Sequence, residues 1–220
     1  HPRHAADAAK LLEHLPALVE SGEVPEASVD AMVAAVLRVK LALGLFDDPW
    51  AEPEHLPARG NARHLEAARE AARESVVLLK NRDRILPLDR DRLGRVAVIG
   101  HLADAPAEQL GTWVFDGDPD LSVTPLAALR EVLDDVAIRY ARGPDPSWDR
   151  SHDGFPEAVE AATGADVALV FLGEDAILSG EAHCRADIGL PGAQSALLEA
   201  VHATGTPVVV VLMTGRPLAL

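Results

Sequence analysis

The sequence predicts an α/β protein, with a mostly parallel sheet covered by helices on both faces and preceded by helices that belong to a separate domain. Three observations carry this. From Arg95 onward, short runs rich in β-branched residues alternate with helical patterns. Those runs are apolar almost throughout, as strands buried on both faces are. Before residue 47 there is only helical periodicity, and a Pro-rich stretch separates it from the rest.

In chain order, the first helical region extends to about Leu45 and is interrupted by Ser21-Gly22-Glu23. Pro25 suits a first helical turn, and Val29, Met32, Val33, Val36, Leu37 and Leu43 recur at steps of three and four. Gly44 then ends the helix. Asp47 through Pro49, Pro53, Pro57 and Gly60 favour an extended linker, and the domain boundary falls there. A second amphipathic helix is expected over 62–79, with Pro87 in the turn beyond it. Strands follow at 96–99, 136–140, 167–172 and 208–213, and helices at 125–133, 155–163 and 193–203. In such a sheet ligands bind beyond the carboxyl ends of the strands, so the loops after Ile99, Leu172 and Met213 are where chemistry is expected.

Composition excludes several classes of partner. Lys and Arg total 20 against 35 Asp and Glu, and the resulting charge of -15 repels nucleic acid and anionic membrane surfaces. No apolar run reaches the ~20 residues needed to cross a bilayer. A single cysteine, Cys184, forms no internal disulfide. Nothing therefore argues for an oxidising compartment, and the cytoplasm is the expected location. Export stays open, because the chain begins His1-Pro2-Arg3-His4 without Met and both ends look like cuts through a longer protein.

Most cofactor and nucleophile motifs are missing. The loop from Gly100 to Asp104 has one glycine where a dinucleotide-binding turn needs three, and no phosphate-binding loop occurs. No cofactor is expected. His183 and Cys184 adjoin each other but lack the spaced pairs of a zinc site, so no metal is expected either. The histidines are scattered, and a solvated surface position is the expectation for each. The segment from Gly173 to Gly192 stands apart, because αβ connections usually take about two to six residues and this one is several times longer. It carries Glu174, Asp175, Glu181, Asp187, His183 and Arg185 at the ligand-binding edge of the sheet. On composition alone these charges only solvate a long loop.

A set of phrases in fixed order changes that balance. Ala34-Ala35-Val36-Leu37-Arg38-Val39-Lys40 with Leu43-Gly44-Leu45-Phe46, then Glu74-Ser75-Val76-Val77-Leu78-Leu79-Lys80-Asn81, open the series. Val96-Ala97-Val98-Ile99-Gly100, Leu110-Gly111-Thr112-Trp113, Ser179-Gly180-Glu181-Ala182 with Arg185, Leu190-Pro191-Gly192 and Gly215-Arg216-Pro217-Leu218 complete it. Together they resemble glycoside hydrolase family 3, in its β-glucosidase and β-xylosidase branch, over nearly the whole chain. The resemblance implies that residues 1–46 are the end of a (β/α)8-type catalytic barrel, 47–94 a linker and connecting helix, and 95–220 most of the family's second, α/β domain. It implies a retaining exo-glycosidase acting on a small β-glucoside or oligosaccharide. A homodimer is the candidate assembly. Retention needs two carboxyl groups, one attacking the anomeric carbon and one acting as acid and then base. The family's nucleophile is an Asp followed by Trp on the barrel, and no Asp-Trp pair occurs here. The Ser-Gly-Glu-Ala phrase singles out Glu181 as acid/base, with Glu174 as its rival. Ile177 and Leu178 are expected to give Glu181 an apolar surround. Arg185 and His183 are candidates for contacting sugar hydroxyls or positioning Glu181. The alternative is a carbohydrate-binding or interaction domain that kept the fold without the chemistry.

Overall fold

The computed structural model describes residues 2–50, 57–58 and 60–219. Of the extended linker expected between Asp47 and Asn61, residues 51–56 and 59 lie outside the described residues. The chain forms two compact units, residues 1–79 and 80–220.

The first unit is helical: α1 (Pro2–Glu20), α2 (Glu26–Ala42) and α3 (Ala62–Ser75). Pro25 precedes α2, and Glu26 in its first turn and Lys40 in its last complement the helix dipole. Asn61 caps α3 by accepting a hydrogen bond from the His64 amide at 3.2 Å. Neither α2 nor α3 buries a single residue, and Met32, Val36, Val39 and Leu41 all stand exposed. α3 stops four residues short of the expected end, where Val76 turns extended at ψ 125°. The physical reason is local. The β-branched pair Val76-Val77 is a poor helix former, and Val76 to Leu79 are exposed, so no packing overrides that preference.

The second unit holds a four-stranded parallel sheet of order β2-β1-β3-β4, made of β1 (Arg95–Ile99), β2 (Ala137–Ala141), β3 (Val167–Gly173) and β4 (Val208–Met213). The connecting helices are α4 (Pro125–Val132), α5 (Phe155–Ala162) and α6 (Gln194–His202). Successive side chains of a strand point to opposite faces. Ala97, Ile99, Ala168, Val170 and Leu172 accordingly pack with Ala158 and Ala162 of α5 and with Leu197 and Val201 of α6. Val96, Val98, Val167, Leu169 and Phe171 pack on the other side with Leu126 of α4 and Leu102. Leu126 and Leu197 are fully buried, and each such side chain stabilises the fold by about 1.5–3 kcal/mol.

This arrangement decides where a site can form. The chain runs from β1 over one face to β2, then back over the other face to β3 on the far side of β1. The loops leaving β1 and β3 therefore diverge, opening a crevice beyond the carboxyl ends of adjacent strands.

Candidate active site

The loops after β1, β3 and β4 meet at that carboxyl edge, and Gly173 makes the meeting possible. It has φ 145°, and a Cβ on it would lie 1.9 Å from the Met213 carbonyl oxygen. The next residue keeps the register, the Glu174 amide donating to the same carbonyl at 3.0 Å. Gln194 ties the turn from the helix side: its amide group donates to the Gly173 and Ser147 carbonyls and its oxygen accepts from the Gly173 amide, each at 2.8 Å.

Glu174 is buried and fully engaged. Arg185 Nη1 lies 2.5 Å from one carboxylate oxygen, and the Thr214 hydroxyl donates to the other at 2.9 Å. Arg216 Nε is 3.1 Å from that second oxygen, an ion pair without hydrogen-bond alignment. Both guanidinium groups also grip the long loop. Arg185 Nη2 donates to the Gly189 carbonyl at 3.0 Å, and Arg216 Nη2 to the carbonyls of Leu178 at 2.6 Å and His183 at 3.0 Å. From a third side the Thr112 hydroxyl lies against the carbonyls of Ala176 and Ser179.

Within this frame Glu181 is exposed, between Gly180 at φ 105° and Ala182 at φ 65°. Left-handed backbone is unfavourable for alanine and is found where a surrounding structure enforces it. A Cβ on Gly180 would meet Thr112 Cγ2 at 2.5 Å and Trp113 Cζ2 at 3.6 Å, which places the exposed Trp113 ring beside the Glu181 turn. Of the two residues expected to surround it, Ile177 is exposed and Leu178 half-buried. His183 is half-buried with Nδ1 3.3 Å from the Ser179 carbonyl, and Cys184 is exposed.

Of the residues singled out in the sequence, Glu174, Arg185 and the Glu181 turn thus come together, with His183 on the same loop. Arg216, Thr214 and Thr112 join them without having been singled out in the sequence. The first two lie in the loop after β4, and Thr112 and Arg216 lie inside the phrases that carry the family resemblance, so the signal was position in the fold without a residue-level role. His101 is a further departure from the sequence-based expectation. A surface position was expected, but His101 is buried, its Nε2 2.5 Å from Asp175 Oδ1. The Ser147 amide donates to Asp175 Oδ2 at 2.9 Å, and the Asp175 amide donates to the Ser147 hydroxyl at 3.1 Å. Burial pushes the Asp175 carboxyl up, but the hydrogen bonds from His101 and Ser147 outweigh it and hold the group below the usual carboxylate range. The crevice placed these groups together, because His101 follows β1 and Asp175 follows β3.

A cavity of about 370 Å³ opens beside this pair, lined among others by Asp104, Glu108, Arg142 and Trp148. Several of its charges are already spent, Arg142 on Asp145 and Glu108 on the Ala176 amide at 2.5 Å. Glu181 does not line it. Among the described residues no group of His, Cys, Asp or Glu is arranged to hold a metal ion.

Residues 76–220 match the model of the glycosyl hydrolase family 3 C-terminal domain. The chain belongs to glycoside hydrolase family 3. Over 94% of its length it is 40% identical to a periplasmic beta-glucosidase of Salmonella typhimurium, of which it spans 30%. It is 38% identical to a beta-xylosidase of Formosa agariphila, with 87% of this chain and 27% of that protein covered. The crystal structure of a beta-glucosidase from Listeria innocua in complex with isofagomine superposes with a TM-score of 0.79 at 33% identity, covering 93% of this chain and 28% of that one. The chain therefore spans less than a third of these family 3 relatives. The doubly covered parallel sheet is the fold expected for the family's second domain.

Proposed function

We propose that this segment supplies the general acid/base of a retaining exo-glycosidase that cleaves terminal β-linked sugars. A barrel whose closing helices lie in residues 1–46 would supply the attacking Asp and most of the sugar pocket. One observation carries the assignment: of the two rival carboxylates, Glu174 is buried between two guanidinium groups, while Glu181 is exposed on a clamped, left-handed turn. A group that shuttles a proton has to reach the leaving oxygen and exchange its charge. Glu174 can do neither without leaving two cations unpaired, so the acid/base role falls to Glu181.

The chemistry then runs in two steps. The barrel carboxylate attacks the anomeric carbon while Glu181 protonates the departing oxygen; Glu181, now ionised, takes a proton from water as it displaces the enzyme carboxylate. An acid at neutral pH needs its carboxyl desolvated or close to another negative charge. Trp113 offers a flat apolar face beside the same turn, suited to stacking on a sugar ring. The beta-glucosidase and beta-xylosidase names of the relatives support a glucoside or xyloside substrate.

The test is Glu181→Ala in the intact enzyme. Loss of a general acid/base costs ~10²- to 10⁴-fold in rate, and alkyl glycosides and disaccharides, whose leaving groups need the proton, should lose the most. Activated aryl glycosides should still form the glycosyl-enzyme, and azide, which needs no base, should restore turnover and give a β-glycosyl azide. An unchanged rate, or equal losses on every substrate without rescue, removes Glu181 from the role.

A further inference from the structure

The buried ion cluster around Glu174 has more structure than a rival carboxylate requires. Its side chain is 1% exposed and receives cations from two places, Arg185 on the far side of the Glu181 turn and Arg216 from the loop after β4. Arg216 Nη2 then bonds the Leu178 and His183 carbonyls, one on each side of Glu181. Thr214 adds a hydroxyl to Glu174 and also accepts from the Arg216 amide at 3.2 Å, which fixes the loop that delivers the guanidinium. Without Glu174, two cations would be half-buried with no anion between them, and the carbonyls flanking Glu181 would lose the group that orients their donor.

We propose that Glu174 and Arg216 form a positioning unit that sets the reach of the Glu181 carboxyl toward the glycosidic oxygen. This rests on the acid/base assignment of Glu181. Glu174 touches no reacting atom. It neutralises Arg216 and aims it, and Arg216 pins the turn at both flanks. Arg185 closes the same ring through Gly189, so the turn hangs from a single anionic centre.

Glu174→Gln in the intact enzyme keeps the size of the side chain and removes the charge. For disaccharides and alkyl glycosides kcat/KM should fall ~10- to 10²-fold, the lower part of the range for losing an acid/base outright. For activated aryl glycosides, slower activation of water lets glycosyl-enzyme accumulate, so kcat and KM should fall together and leave kcat/KM within about twofold. A lesion that merely lowers the folded fraction would reduce kcat at constant KM on every substrate, and that pattern overturns the proposal. Combined with Glu181→Ala, Glu174→Gln should cost no more than a further twofold or so, since it acts through the group already removed; a fully additive loss also overturns it. Arg216→Lys, which keeps the charge next to Glu174 but cannot span two carbonyls, should show the same split between substrates and decides the matter if Glu174→Gln fails to fold. Wild-type kinetics in Arg216→Lys would refute the positioning role. Azide rescue of Glu174→Gln, with none for Glu181→Ala, is a distinct result: it would overturn the assignment of Glu181 itself.

Discussion

Asp175 follows Glu174 directly, is buried like it, and is equally spent, on His101 and the Ser147 amide. Its carboxyl is held below the ordinary range in the folded chain, against ~3.9 when unfolded. A depressed folded value means the stabilisation is fully present above the unfolded value and is lost as pH falls through the folded one. Acidification from pH 5 to pH 2 should therefore lower the denaturation midpoint of the chain, and Asp175→Asn should lose less over the same interval. At neutral pH that variant should be about 1–3 kcal/mol less stable, because its amide cannot accept both bonds; equal pH slopes in urea titrations of the two proteins would contradict this. Residue identity alone left Glu174, Asp175 and Glu181 equivalent, three of the four carboxylates in one loop. What separates them is burial and partners, and those partners come from distant segments: Ser147 from beyond β2, Arg216 and Thr214 from beyond β4. No spacing rule predicts such pairings.

Strands were the most legible elements. The expected runs at 96–99, 136–140, 167–172 and 208–213 lie within one residue of the observed bounds. In the central strands β1 and β3 near-complete burial forces an unbroken apolar run that sequence displays directly, while the partly exposed β2 and β4 show through their β-branched and aromatic residues. α3 was less legible, because its last expected turn depended on packing that is absent. The long loop after β3 was visible only as an excess of length, whereas its shape comes from contacts such as Thr112 against Gly180. That contact is testable. In Gly180→Ala the added methyl would overlap Thr112 Cγ2 and occupy φ 105°, so the turn must move. Left-handed backbone costs alanine roughly 1–2 kcal/mol, little beside a core leucine at about 2–5. Activity of the intact enzyme on disaccharides should drop by an order of magnitude or more while its melting temperature shifts by only a few degrees. Full activity in Gly180→Ala would mean the turn geometry is immaterial.

The two units differ in how far they can stand alone. Residues 80–220 have a core on both faces of a sheet, whereas α2 and α3 bury nothing and leave Met32, Val36, Val39 and Leu41 bare, as helices would that cover strands supplied by other residues. The glycosidase reading puts the nucleophile among those other residues. Residues 1–220 expressed alone should accordingly show no hydrolysis of aryl β-glycosides above a mock preparation, even with azide present; turnover by this chain would sink the proposed division of labour. The helical pattern of 1–45 was plain in the sequence, but the absence of any buried residue in α2 was not, since periodicity reports a preferred face and not what covers it. The clamp on Glu181 also has an order in time. A ribosome delivers Glu174 and Glu181 well before Arg216, and Arg216 reaches its carbonyls only once β4 has paired with β3. During that interval the acidic turn exists without its anchor, so the clamped form of the turn is a late event in synthesis, acquired only after β4 has docked.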